Sequence, residues 1–113
     1  MKGSAFMSVL NDIVNQASIR DLLDYYGIEQ NKSTGNYLCP FHNDHNASLS
    51  VTKDDKHWQC MTCGASGNVV DLVEQMEKIK GTEYGDHNNY LKRYEFIINL
   101  QNLNINFTMW DDC

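Results

Sequence analysis

Cys39-Pro40-Phe41-His42 and Cys60-Met61-Thr62-Cys63 are two short pairs of metal-ligand residues separated by seventeen residues, and their spacing decides how the chain is read. Two residues between the members of a pair let both side chains turn toward one ion, and zinc takes four N or S ligands in a tetrahedron. Three thiolates and one imidazole fill that shell and leave no position for a reacting water. The expected site is therefore one structural Zn2+ held by Cys39, His42, Cys60 and Cys63. A lone Cys-x-x-Cys could instead run thiol–disulfide chemistry, as an oxidoreductase using Cys60 and Cys63 would, but that reading wants a thioredoxin-like βαβ setting. Here Lys56-His57-Trp58-Gln59 and Gly64-Ala65-Ser66-Gly67 read as a strand and a turn, and a second ligand pair lies upstream. His45 and His57 are spare imidazoles; the gap from Cys39 favours His42.

Outward from the pairs, Ala47 to Thr52 alternates, with Ala47, Leu49 and Val51 on one face and Ser48, Ser50 and Thr52 on the other. Such alternation suits a half-exposed strand. Lys53-Asp54-Asp55-Lys56 makes a hairpin turn, and His57-Trp58-Gln59 starts the strand that delivers Cys60. Two antiparallel strands thus bring the ligand pairs together, a zinc-ribbon layout. Upstream, Ser8 to Tyr26 reads as helix in two pieces with a break near Ala17-Ser18: Val9, Leu10, Ile13, Val14 and Ala17 form one apolar stripe, and Ile19, Leu22, Leu23 and Tyr26 a second, shifted one. Ser18 with Asp21 resembles a capping start, and Gly27 a stop.

Downstream, Asn68 as N-cap opens a helix with apolar positions Val69, Val70, Leu72, Val73, Met76 and Ile79. Gly81 to Asn89 is polar and reads as a linker. Tyr90, Leu91, Tyr94, Ile97 and Ile98 then space an amphipathic helix with Lys92, Arg93 and Glu95 on its polar side. Asn104 to Trp110 alternates apolar and polar, as a short strand or a tail. The expectation is an α+β chain: a zinc-ribbon-like small antiparallel sheet flanked by N-terminal and C-terminal helices. Its divisions are a helical extension over 1–17, the zinc module over 18–80, and a linker, helix and tail over 81–113.

At 113 residues the chain gains much from a metal cross-link, because zinc binding free energy becomes folding free energy. The formal net charge is −6, and three thiolates on one Zn2+ add about one more negative charge. Free-standing duplex binding draws on many basic residues, so any nucleic-acid role is expected to be local or shared. No stretch reaches the length of a membrane span, and Met1-Lys2-Gly3-Ser4-Ala5-Phe6 lacks the apolar core of a signal peptide. A cytoplasmic location is expected. Cys113 has no obvious role.

The runs Asn36 to Asn43, Ala47 to Val51 and Trp58 to Asp71, with Cys-Pro-Phe-His and Cys-Gly-Ala-Ser-Gly inside them, carry a resemblance to the Cys-His-Cys-Cys zinc-binding domain of bacterial DnaG-type primases over roughly residues 18 to 78. That resemblance implies a ribbon-like sheet with zinc at one end, whose exposed face helps contact single-stranded template. It carries the zinc to Cys39, His42, Cys60 and Cys63, and template contact to Tyr37, Lys53, Lys56, His57 and Trp58, an aromatic and basic set of the kind that holds single strands. The family often has proline where Ala47 stands, an aromatic at Leu49 and Met61, glycine at Thr62 and Asp at Asn68. Its template face is usually more basic as well.

Primer synthesis needs carboxylates on a polymerase domain, and Asp54-Asp55 and Asp111-Asp112 read instead as solvated charge. The expected function is that of a non-catalytic zinc-binding subunit of a replication complex, suited to a mobile genetic element. It would touch single-stranded DNA and dock on a separately encoded DNA polymerase or primase catalytic subunit through Tyr90, Tyr94, Ile97, Phe107 and Trp110. The alternative is a zinc-ribbon regulator acting through protein contacts alone.

Overall fold

The structure, a computed structural model, describes residues 2–43 and 46–105, with side chains in the first helix described from Ser8 onward. Helices α1 (Lys2–Gln16) and α2 (Ile19–Tyr25) lead into strands β1 (Leu49–Val51), β2 (Trp58–Cys60) and β3 (Ser66–Gly67). Helix α3 (Val69–Lys80), two 3-10 turns (Glu83–Gly85 and His87–Asn89) and helix α4 (Tyr90–Gln101) follow. This is the expected α+β arrangement.

The break between α1 and α2 has a local cause. Ser18 is extended (φ −112°, ψ 123°), and its side chain accepts the Asp21 N–H at 3.1 Å, so a new helix starts there. Helix α2 ends at Gly27 (φ 73°), where the Gly27 N–H reaches the Asp24 carbonyl and the Ile28 N–H the Leu23 carbonyl. Helix α3 opens on a full capping box: the Asn68 side chain accepts the Val70 and Asp71 N–H groups, and the Asp71 carboxylate accepts the Asn68 N–H.

The sheet is antiparallel in the order β1-β2-β3, with Leu49 opposite Cys60, Val51 opposite Trp58, and Trp58 opposite Gly67. Tyr37 adds a bridge on the β1 side, exchanging 2.7 and 3.0 Å hydrogen bonds with Leu49. One buried cluster takes Leu10, Ile13 and Ala17 from α1, Ile19, Leu22 and Leu23 from α2, Leu49, Trp58 and Cys60 from the sheet, five residues of α3 from Val69 to Met76, and Ile97 from α4.

Four expectations change. Gly64 to Gly67 is more than a turn, because Ser66 and Gly67 pair with β2 as a third strand. Ile79 lies on the outer side of α3, 59% exposed. The stretch from Gly81 to Asn89 carries two 3-10 turns packed on α3, with Gly85 so close that a Cβ there would collide with the Lys78 backbone. Arg93, read as part of a polar face, is 2% exposed. Its guanidinium donates to the carbonyls of Tyr84 (3.0 Å) and Asp86 (2.7 Å) and sits 3.4 Å from the Glu74 carboxylate. A short turn leaves carbonyls that no helix or strand satisfies, and the planar fork of an arginine can reach several of them at once.

Glu77 is likewise buried. It accepts hydrogen bonds from the Tyr26 hydroxyl (2.7 Å) and the Thr82 hydroxyl (2.6 Å), and its carboxylate lies 3.7 Å from the Lys80 ammonium. Burial, then the neighbouring carboxylate, pushes the Tyr26 phenol well above its ordinary range.

Candidate metal centre

Strand β2 ends in Cys60, and the chain then turns tightly through Met61 and Thr62 so that Cys63 faces back. Cys39 and His42 arrive from the segment after Tyr37, which the bridge to Leu49 fixes beside β1. The four ligand atoms converge: all lie within 4.8 Å of one another. Cys39 and Cys63 sulfurs are 3.8 Å apart, and His42 Nε2 is 3.3 Å from the Cys60 sulfur. A tetrahedron with Zn–S bonds of about 2.3 Å places its sulfurs about 3.8 Å apart, and with Zn–N near 2.0 Å the nitrogen to sulfur edge is about 3.5 Å. The ligand types and these two edges fit that ion. Among the described residues it is the one such convergence of three or more His, Cys, Asp or Glu side chains.

The surroundings tune the thiols in opposite directions. Burial pushes the Cys39 thiol up to about 12 against the lowering effect of the Phe41 N–H. For Cys60 burial pulls the same way but is outweighed. The N–H groups of Cys63 and Thr62, the Ser48 hydroxyl and His42 together hold it down to about 6. The Cys63 N–H is 3.4 Å and the Ser48 Oγ 3.6 Å from that sulfur. Donors aimed at a sulfur stabilise its thiolate, the form that binds metal. Ser48 was missed as a contributor; its signal was its place one residue before Leu49, whose pairing with Cys60 brings it alongside.

The profile of the CHC2 zinc finger, the zinc ribbon of DnaG, matches residues 6–106. The chain belongs to the CHC2 zinc-finger family. Curated relatives agree. The DNA primase of Salmonella typhimurium is 33% identical over 76 residues, covering 66% of this chain and 13% of that protein. The DNA primase of Enterococcus faecalis is 32% identical over 77 residues, covering 66% and 12%. That of Halalkalibacterium halodurans is 41% identical over 61 residues, covering 50% and 10%. This CHC2 zinc finger thus spans 10% to 13% of the length of these relatives. Its role is zinc-binding and primase-related.

The residues expected at a template surface do not stay together. Trp58 is 2% exposed, donates its indole N–H to the Asn68 carbonyl at 2.8 Å, and packs its ring 5.4 Å from that of Phe41. Tyr37 is 6% exposed. Neither ring offers a free face for a base. Strand parity carried this signal: Trp58 is two residues from Cys60 and shares its inward face. Lys56 donates to the Asn15 carbonyl at the end of α1. Lys53 and His57 are exposed. On the outer face, Ser50, Thr52, His57, Gln59 and Ser66 border a shallow hollow of about 330 Å³.

The expected docking residues also divide. Tyr90 is 47% exposed and Tyr94 partly buried, whereas Ile97 is wholly in the core. A core side chain cannot also be a contact surface. Phe107 and Trp110 lie outside the described residues. No helix among the described residues is long and apolar enough to cross a membrane.

Proposed function

We propose that this CHC2 zinc finger is the zinc-dependent, template-contacting part of a DNA primase assembly, holding one structural Zn2+ and acting with catalytic residues that lie on another chain. The observation that carries the reading is a quartet of Cys and His ligand atoms within 4.8 Å of one another, placed at the end of a three-stranded sheet, in a chain whose matched relatives are named DNA primases. Single-stranded DNA would lie on the outer sheet face, where Ser50, Gln59 and Ser66 offer hydrogen bonds and His57 and Lys53 stand at the hairpin end. Tyr37 and Trp58 support that face from beneath.

With few lysines there and a negative chain overall, affinity is modest and shared with a partner. That partner would be a primase catalytic subunit or DNA polymerase, met by the exposed part of α4 around Tyr90 and Tyr94. The carboxylates that a two-metal nucleotidyl transfer requires would be the partner's.

The test pairs two measurements: binding of the zinc-loaded chain to a labelled single-stranded oligonucleotide, and primer synthesis by candidate polymerases with and without it. Expected are binding that Lys53→Ala and His57→Ala weaken, and a gain in priming with one partner. Absence of both would overturn the reading; a polymerase complex without DNA binding would favour a regulator that works through protein contacts alone.

A further inference from the structure

The β1–β2 hairpin is held by contacts from outside the sheet. Asp55, at its tip, sits in the left-handed region (φ 64°), and the hairpin closes through the Asp55 N–H to the Thr52 carbonyl (2.9 Å). Its carboxylate points away from the hairpin into the break between α1 and α2. One oxygen accepts the Arg20 N–H at 3.0 Å and lies 3.4 Å from the Arg20 guanidinium; the other accepts the Ser18 hydroxyl. The contact is reciprocated, because the Arg20 guanidinium donates to the Thr52 carbonyl at 3.1 Å and Lys56 donates to the Asn15 carbonyl. The adjacent Asp54 differs: exposed, among the described residues it binds the Thr52 hydroxyl and the Lys56 N–H of its own turn. A neighbouring pair of aspartates therefore splits into one solvated acid and one anchor.

We propose that Asp55 is a positioning residue for template capture: by tying the hairpin tip to Ser18 and Arg20, it holds Lys53 and His57 beside the outer face of the sheet. The inference rests on the template reading above. Lys53 lies between Thr52, which Arg20 grips, and Asp55, which grips Ser18 and Arg20. Its backbone is fixed on both sides, and only its side chain is left to search for a phosphate. An untethered two-strand tip would have to be ordered on binding, at a cost in backbone entropy.

The test exploits a sign. Removing an acid beside a DNA surface strengthens binding by charge alone, and all the more here because Arg20 would be released from its ion pair. Loss of positioning weakens it. Zinc-loaded wild type, Asp55→Gly, Asp54→Asn and Ser18→Gly chains are titrated against a labelled single-stranded oligonucleotide of about 16 nucleotides at several salt concentrations. Glycine suits the φ of residue 55, and at position 18 it remains an acceptable N-cap.

Expected for Asp55→Gly are binding weaker by about fivefold or more, a salt slope smaller by about one phosphate contact, and unchanged zinc content. Asp54→Asn should bind as wild type or tighter. Ser18→Gly, which changes no charge, should weaken binding in the same direction and keeps the test alive if Asp55→Gly loses zinc. Wild-type binding that Asp55→Gly and Ser18→Gly leave equal or tighter overturns the positioning role alone. No binding by wild type overturns the template reading and this role with it.

Discussion

At the scale of single residues, the four ligands differ in what they ask of the metal. Donors around its sulfur hold the Cys60 thiol down while burial pushes the Cys39 thiol up, so zinc must displace a proton held by the thiols. A displaced proton costs zinc affinity as the solution becomes more acidic. Apparent affinity should therefore fall by about tenfold per pH unit for each proton displaced, and a competition titration with a chromophoric chelator between neutral and mildly acidic pH reads it. An affinity flat with pH would contradict the environment found for Cys39. Cys60→Ser removes the ligand whose sulfur takes the Cys63 and Thr62 N–H groups and should abolish stoichiometric zinc. Structural zinc contributes on the order of 10 kcal/mol in small zinc modules, as much as the whole stability of an ordinary domain. The far-UV circular dichroism of that variant should show loss of much of the fold, as should wild type in excess chelator.

At the scale of elements, what the sequence made legible was whatever carried its own pattern. β1 and β2 show alternation, α2 and α3 show periodicity with caps, and the ligand spacing announces the knuckles. What stayed hidden takes its order from elsewhere. β3 is two residues long, Ser66 and Gly67, too short for any pattern, and is a strand only because β2 offers it an edge. The turns from Glu83 to Asn89 look like a linker because their organiser, Arg93, sits on the next helix. Asp55 looked solvated because its partners, Ser18 and Arg20, are more than thirty residues earlier. Arg93→Met tests the second case. It would strip the Tyr84 carbonyl of its donor, leave the Asp86 carbonyl only the Asn89 N–H, and leave Glu74 without its buried cation. Breaking a buried pair in this way costs about 3 kcal/mol or more, to be read from a denaturant midpoint, with amide exchange between residues 82 and 90 accelerating well beyond that of α3. If exchange there is unaltered, the turns hold themselves.

At the scale of the whole molecule, helices and zinc ribbon meet at the α1–α2 break. The Gln101 side chain spans it, donating to the Ser18 carbonyl and accepting the Ser18 N–H, both at 2.8 Å. The Ser18 N–H belongs to neither helix, the Ser18 carbonyl also takes the Leu22 N–H at the start of α2, and both lie 83 positions from Gln101 along the chain. A ribosome that has delivered both knuckles and all of α3 has therefore not yet delivered the residue that seals the junction where the hairpin is anchored. During synthesis the metal site can close first, and the collar around it closes only with the last turn of α4. A chain stopped after Thr82 should accordingly take up zinc with full stoichiometry yet melt earlier than the full chain, with its Ser18 amide exchanging freely; equal melting of the two would show that α4 adds nothing to the seal. Zinc uptake and completion of the fold are thus separable steps, and a molecule can be metallated before it is latched.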